Sequence, residues 1–441
     1  MKIENFRTGR NGNRPRVTAT VTWEDCGLPA QELYFETEEE FGQGLSCNPH
    51  AFLVGCVLPA MHHREKRIFL DAEICPELRD NLTTAMHWVR HWYYGADHDL
   101  VKIEAGPRTG LPGPRTPERA GFFFSGGIDC LATLRANRLN YPPEHPGSIR
   151  DGLLIYGQNI ESDNRPEIFA KAYADLSEVT QESGVALIPV YTNIRLLDEG
   201  KKIFAINHGA ILGAVAHAFS QRLTTVAISA SDSIPGLRLV QSFIFKPHGS
   251  HPLLDPLYGS SDLRILHDGV ALSRLDKTKL IADWDTALRN IKVCGPNWPG
   301  RNCGHCEKCV RTMLELLAAG VLDKSGAFPA DNVSAGLVTG INIKKPTFGY
   351  TADDDYLELV APLREIGRLD LVNAIEEVVR RAHHRKSGFS LKVKEFDRKY
   401  LSGILSRTKK IVRSGTKTDR SKPLAPADSG KSVDILTKPD R

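Results

Sequence analysis

Four cysteines in the second half of the chain, Cys294, Cys303, Cys306 and Cys309, follow the spacing C-x8-C-x2-C-x2-C within VCGPNWPGRNCGHCEKCVRTM. Gaps of two residues let neighbouring thiolates converge on one ion, and the glycine- and proline-rich loop before Cys303 brings the first thiolate around to close a tetrahedron. Four sulfur ligands leave no open coordination position, so the chemistry is that of a structural zinc site; an iron–sulfur cluster or four metal-free thiols are the alternatives. His305, between two of the ligands, reads as a neighbour. Cys26, Cys47, Cys56, Cys75 and Cys130 have no motif spacing, which argues against a framework of structural disulfides.

A second stretch, RAGFFFSGGIDCLATLRANR over Arg119–Arg138, carries a different chemistry. The apolar run Gly121–Phe124 predicts a buried strand, Ser125-Gly126-Gly127 a turn, and the pattern from Asp129 a helix. Adjacent glycines let several backbone N–H groups point into one hollow at the positive end of the helix, an arrangement that binds phosphate. The alternative is the glycine turn that any α/β protein uses between strand and helix.

Alternating strands and helices must position these two stretches. After Arg119 the chain predicts strands at Gly152–Tyr156, Ala186–Tyr191 and Thr224–Ile228, with helices at Pro166–Ser183 and Ala205–Gln221 between them, the pattern of a parallel sheet. Such sheets bind ligands beyond the carboxyl ends of their strands, where both Ser125 and Tyr156-Gly157-Gln158 fall. Residues 1–116 read as an N-terminal α+β domain, with strands at Val17–Trp23, Glu32–Thr37, Arg67–Ile74 and Leu100–Glu104 and helices at Pro49–His62 and Cys75–Tyr94. The proline-rich Gly106–Pro117 reads as a linker into a central domain over 117–320. A helical extension follows over 321–413, with helices at Asp354–Ile366 and Leu369–His384, and then a basic tail over 414–441 expected to be disordered.

Ser125-Gly126-Gly127-Ile128-Asp129 resembles the SGGxD core of the PP-loop ATP pyrophosphatases, which hold the leaving pyrophosphate of ATP while a substrate oxygen attacks the α-phosphorus. The next residue, serine in that family, is Cys130 here, a weaker donor. Tyr156-Gly157-Gln158 resembles the YGQ of the 7-cyano-7-deazaguanine synthases, the QueC branch. Asn207 and Lys277, in RLDKTKLI, resemble an asparagine and a lysine of the same branch, and the cysteine pattern resembles its zinc site. Where that branch has a YPDCR-like segment, this chain has Ser229-Ala230-Ser231-Asp232-Ser233-Ile234-Pro235, with Asp232 as counterpart of the aspartate, and then an insertion containing His248-Gly249-Ser250-His251-Pro252.

The resemblance implies a HUP-type (adenine nucleotide alpha hydrolase-like) parallel sheet with helices on both faces, and ATP, Mg2+ and Zn2+ as cofactors. It implies catalytic roles for Ser125, Asp129 and Lys277, nucleotide contacts from Ser125, Gly126, Gly127, Ile128, Asp129, Cys130, Tyr156, Gly157, Gln158, Asn207 and Asp232, and metal ligation by Cys294, Cys303, Cys306 and Cys309. The implied reaction is an ATP-dependent ligation that forms a C–N bond and releases AMP and pyrophosphate. The departures in the acceptor segment also resemble the QueC-like proteins of Qat anti-phage systems, which implies partner proteins of a defence operon and a deazapurine or protein acceptor. The alternatives are a PP-loop enzyme that modifies tRNA or a sugar, and a catalytically silent nucleotide-binding scaffold.

Composition sets outer bounds. A net charge of +4 over 441 residues is too small to imply nucleic acid, although the basic run from Arg380 to Arg413 reads as a solvated helical face or as a contact for RNA or an acidic partner. The opening Met1–Asn5 lacks the apolar core of a signal peptide, and the apolar run near Ala51–Met61 is too short to span a bilayer, so the expected location is cytoplasmic, with no membrane partner. His62, His63, His87 and His91 lack matching acidic or cysteine partners in sequence and read as packed or surface residues, and His248 and His251 as pocket or loop residues, rather than metal ligands.

Overall fold

In the computed structural model, residues 1–110, 118–157, 166–201, 203–237, 247–294, 302–342 and 352–386 are described. Strands β1 (Lys2–Asn11) and β2 (Arg14–Thr22) form a hairpin closed by Gly12 and Asn13, with Gly12 at φ +57°. β3 (Gln31–Thr37) follows, then α1 (Pro49–His62), β4 (Arg67–Ile74), α2 (Pro76–Val89) and β5 (Lys102–Pro107). The Asn48 side chain caps α1 by accepting from His50 N, with proline in the first turn, a pattern that starts helices. Residues His50–Met61 of α1 are all buried, as expected of a helix apolar on every side.

The chain continues through β6 (Ala120–Phe123), α3 (Ile128–Asn140), β7 (Ile149–Tyr156), α4 (Pro166–Glu182), β8 (Ala186–Thr192), α5 (Phe204–Ala218), β9 (Thr225–Ser229) and β10 (Arg264–Asp268). Helices α6 (Arg274–Leu280), α7 (Asp285–Arg289) and α8 (Glu307–Ala318) come next. The described chain ends with α9 (Leu322–Ser325), α10 (Ala335–Gly340), α11 (Ala352–Leu357), α12 (Val360–Glu365) and α13 (Leu369–Lys386).

All ten strands lie in one sheet in the order β10-β9-β6-β7-β8-β3-β2-β1-β4-β5. From β10 to β8 every pairing is parallel. β3 joins β8 antiparallel, with Phe35 opposite Thr192, and β2 and β1 continue antiparallel before β4 and β5 return to parallel pairing. The expected N-terminal segment therefore extends the same sheet, and Met1–His383 is one compact unit.

Strand residues alternate between two cores. Phe123, Leu153, Ile155, Ile188, Val226 and Ile228 join one apolar cluster with α1, α2 and α5, whereas Phe122, Phe124, Leu154, Leu187 and Ala227 join another with α3, α4 and α8. This period of two places helices on both faces of the sheet. In the parallel half the chain runs outward from β6 through β7 to β8, then returns to the other side of β6 for β9 and β10. The reversal lies between β6 and β9, the point at which open α/β sheets leave a crevice.

β1 and β10 were not apparent in the sequence pattern. β1 is charged and largely exposed, and β10 is a short edge strand, so neither shows strong alternation. Gly157 ends β7 at φ +104°, and a Cβ there would lie 2.2 Å from Thr192 O. Gly157→Ala is expected to cost about 3 kcal/mol of stability, from the forbidden φ and the backbone clash together. An unchanged urea midpoint would contradict this.

Candidate functional site

A cavity of about 670 Å³ opens at the β6/β9 reversal, within the size range of small-molecule sites. Its wall includes Ser125, Gly127, Asp129 and Cys130 after β6, and Ser229 at the end of β9 with Ser231 and Asp232 just beyond it. Gly126 takes φ +79°, and the turn is pinned by Lys292 N donating to Gly126 O at 2.7 Å. Gly127 is the N-cap residue of α3 and no side chain caps it, so first-turn amides at the positive end of a thirteen-residue helix lack a side-chain acceptor. Ser125 is exposed to the cavity. The Cys130 thiol donates to Gly127 O at 3.1 Å and lies 3.8 Å from Ser125 Oγ; burial pushes its pKa up, so it stays a neutral thiol.

Behind this wall lies a charged network. Asp129 accepts from Arg274 Nη1 at 2.7 Å and Lys277 Nζ at 3.2 Å. Burial opposes the Asp129 charge, but the two cations outweigh it and hold the carboxyl below its ordinary value. Arg274 also reaches Glu315 at 3.3 Å, and Arg311 pairs with Asp355 and lies 3.5 Å from Glu307. Lys277 is 2% exposed, donates to Ala230 O at 2.5 Å and is not on the cavity wall. Arg274, one turn earlier on α6, is on the wall. A capping box between Ser273 and Asp276 starts α6 and fixes the direction of both side chains.

Asp232 is raised to about 7 by burial and by the Asp355 and Asp129 charges, with Lys277 and His267 pulling the other way. Because the folded chain holds this proton more tightly than the unfolded chain, Asp232 favours folding least at high pH. Its unfavourable contribution is absent below about pH 4 and grows as the pH rises toward 7. Asp232→Asn is therefore expected to be more stable than wild type at pH 8 and indistinguishable near pH 4, as read from urea midpoints. A constant offset across that range would refute it.

On the far wall, His267 Nδ1 lies 2.7 Å from Asp255, which also accepts from Ser250 Oγ at 2.7 Å. His208 and His248 pack with ring centroids 5.2 Å apart, and burial lowers both, His208 to about 3. His208, His248, Ser250 and His267 all line the cavity. The insertion reaches α5 through Gly249, which donates to Ala205 O at 2.8 Å and where a Cβ would lie 2.0 Å from Ile206 O. His251 instead packs on Trp92.

The ligand atoms of Cys294, Cys303, Cys306 and Cys309 lie within 4.8 Å of one another, and Cys303 and Cys309 have their sulfurs 3.8 Å apart. Tetrahedral ligation at a Zn–S distance of about 2.3 Å places sulfurs about 3.8 Å apart, so the four residues fit a zinc ion. Burial opposes the Cys303 thiolate, but backbone N–H groups of His305 and Cys306 bring its pKa down to about 6, while burial raises Cys294 and Cys309. His305 Nδ1 bonds Cys303 O at 2.9 Å. Among the described residues, no other group of three or more His, Cys, Asp or Glu side chains converges this closely, so neither histidine set forms such a cluster.

Of the sequence-derived residues, Ser125, Gly127, Asp129, Cys130, Asp232 and Cys294 come together on the cavity wall. Gly126 and Ile128 are buried in the turn. Asn207 is fully buried and donates to Asp198 at 3.4 Å; Tyr156 packs against Phe169 and Tyr191. Neither of them, nor Gly157, lines the cavity. Gln158, the tail over 414–441 and the basic run beyond Lys386 lie outside the described residues. Among the described residues, no helix is long and apolar enough to cross a membrane.

Comparison with family models, curated proteins and solved structures returned no match.

Proposed function

We propose that this chain is a QueC-like PP-loop enzyme that adenylates a carboxylate or amide and passes it to a nitrogen nucleophile, releasing AMP and pyrophosphate. The observation that carries this reading is the placement of the Ser125-Gly126-Gly127 turn and the uncapped start of α3 on the wall of a cavity at the sheet reversal. The amides of that turn and the Ser125 hydroxyl bind the β- and γ-phosphates of MgATP and stabilise the charge that grows on the departing pyrophosphate. Mg2+ bound with the nucleotide would neutralise phosphate charge there. Asp129 holds Arg274 at the wall, and Lys277 acts by positioning Asp129 from behind it.

The histidine-lined end is where the acceptor sits. His208, His248 and Ser250 are neutral there and favour a hydrogen-bonding group such as a heterocycle or a peptide amide over a strongly charged one. A deazapurine-related or protein-modifying reaction in anti-phage defence, with partner proteins supplying the acceptor, agrees with this. Zinc, held by Cys294, Cys303, Cys306 and Cys309, serves structure alone, since four thiolates leave no open position.

The test is product identity. Incubation with ATP and candidate acceptors should yield AMP and pyrophosphate, and mass spectrometry of co-purified small molecules and partners should reveal the acceptor. Formation of ADP and phosphate would refute attack at the α-phosphorus.

A further inference from the structure

The cavity wall carries more positive side chains than the proposed chemistry has used, and they differ in whether their charge is already taken. Arg274 is matched by Asp129 and Glu315, and Arg311 by Asp355, Glu307 and Glu315. These arginines build the wall and have little charge left over for a ligand. Lys292 and Lys308 line the same cavity as Ser125 and Gly127. Among the described residues, Lys292 Nζ makes no hydrogen bond, and the carboxylate it faces, Asp175 at 3.8 Å, is already bonded by Lys171 at 2.9 Å, so Lys292 shares a single charge where each arginine has at least two carboxylates. Lys308 is exposed, and the neighbouring Glu307 is engaged by Arg311 and Tyr356.

Both lysines are tied to the cysteine cluster. Lys292 stands two residues before Cys294, and Lys308 stands between Cys306 and Cys309. The backbone of the first is fixed at the glycine turn by its N–H to Gly126 O, and the next two residues, Val293 and Cys294, donate to Asn302 Oδ1 at 3.0 and 3.1 Å. Asn302 in turn donates to Ile291 O and Ala327 O. The second lysine rides on the first turn of α8, whose N-cap residue is Cys306.

We propose that Lys292 and Lys308 form a two-lysine clamp for the pyrophosphate moiety, and that metal in the four-cysteine centre holds the clamp in place beside the glycine turn. This rests on the reading of the cavity as a nucleotide site and extends it. A metal ion that joins Cys294 to Cys306 and Cys309 fixes the spacing of the two lysines across sixteen residues of sequence. Without it, the two lysines keep only their separate backbone anchors, and bringing them to one spacing when the anion binds carries an entropic cost.

Calorimetric titration of magnesium-saturated inorganic pyrophosphate into the metal-loaded full chain tests this. Lys292→Gln and Lys308→Gln are each expected to weaken binding roughly tenfold or more, the size of one lost charge-assisted contact. Lys66→Gln, a fully surface control, should bind as wild type does. Cys303→Ser, checked for metal content and for a folded circular dichroism spectrum, should weaken binding at least as much as either lysine change. Wild-type affinity in both lysine variants would overturn the clamp while leaving the nucleotide site standing. Failure of the wild type to bind either pyrophosphate or ATP would overturn the nucleotide reading and the clamp together. Full affinity in folded, metal-free Cys303→Ser would overturn the metal's part in it. Should that variant not fold, Cys294→Ser, checked for metal and folding in the same way, takes its place for the metal's part, and the two lysine variants, which keep the metal, test the clamp itself.

Discussion

Asp129→Ala is expected to reduce ATP-dependent pyrophosphate release by roughly 10²- to 10³-fold, the range seen when one preorganised electrostatic group is removed from an active site. The carboxylate is a junction between two cations: Arg274 on the cavity wall and Lys277 behind it. Its loss leaves Lys277, 2% exposed, with a carbonyl partner at Ala230 as its remaining bond among the described residues, and one-sided removal from a buried pair costs about 3–5 kcal/mol. Reduced activity and reduced stability should therefore appear together. Asp129→Asn separates them, since the amide keeps the shape and accepts one hydrogen bond. Its activity should fall nearly as far as that of the alanine variant, while its melting temperature stays closer to wild type. A folded Asp129→Ala protein that releases pyrophosphate at the wild-type rate would end the assignment. A wild type with no such activity under any acceptor would favour a nucleotide-binding scaffold.

The second large effect is expected at the cysteine cluster. Cys309 is fully buried on α8, where the same helix supplies Val310, Met313, Leu314 and Leu316 to the core shared with α3 and α4. Cys309→Ser removes one of four sulfurs, and the metal measured per chain should fall from one to well below one. Because binding of a structural metal is also folding free energy, the melting temperature should drop by on the order of 10 °C. The damage should spread to the cavity, since Cys294, Val293 and Asn302 are part of its wall. Retention of one equivalent of metal with an unchanged melting temperature would show that Cys309 is not among the ligands of that metal, and a wild-type chain that binds no zinc would end the metal-centre reading.

Short-range features were legible before any coordinates. The cysteine spacing works because ligands two residues apart fall within reach of a single ion, and the Ser125 turn works because glycine and the start of a helix are local properties. The helices at Pro49–His62 and Pro166–Glu182 and the strand at Arg67–Ile74 follow from periodicity and proline in the same way. The glycine turn and Cys294 of the cluster did meet at one cavity, yet their spacing along the chain says nothing of that meeting; Lys292, bonding to Gly126, is the link.

What the sequence alone determined is thus an α/β alternation, a glycine turn between strand and helix, and a four-sulfur cluster, each set by interactions among near neighbours in the chain. The tertiary structure decided the rest. It joined the N-terminal strands to the parallel sheet through β3 and β8, placed Arg274 rather than Lys277 on the cavity wall, and brought His267 to Asp255. Arg274 meets Asp129 across 145 residues, and no local pattern encodes a contact of that kind. Such pairs form only because burying both faces of one sheet closes those long loops, and the charges thereby removed from water must find one another.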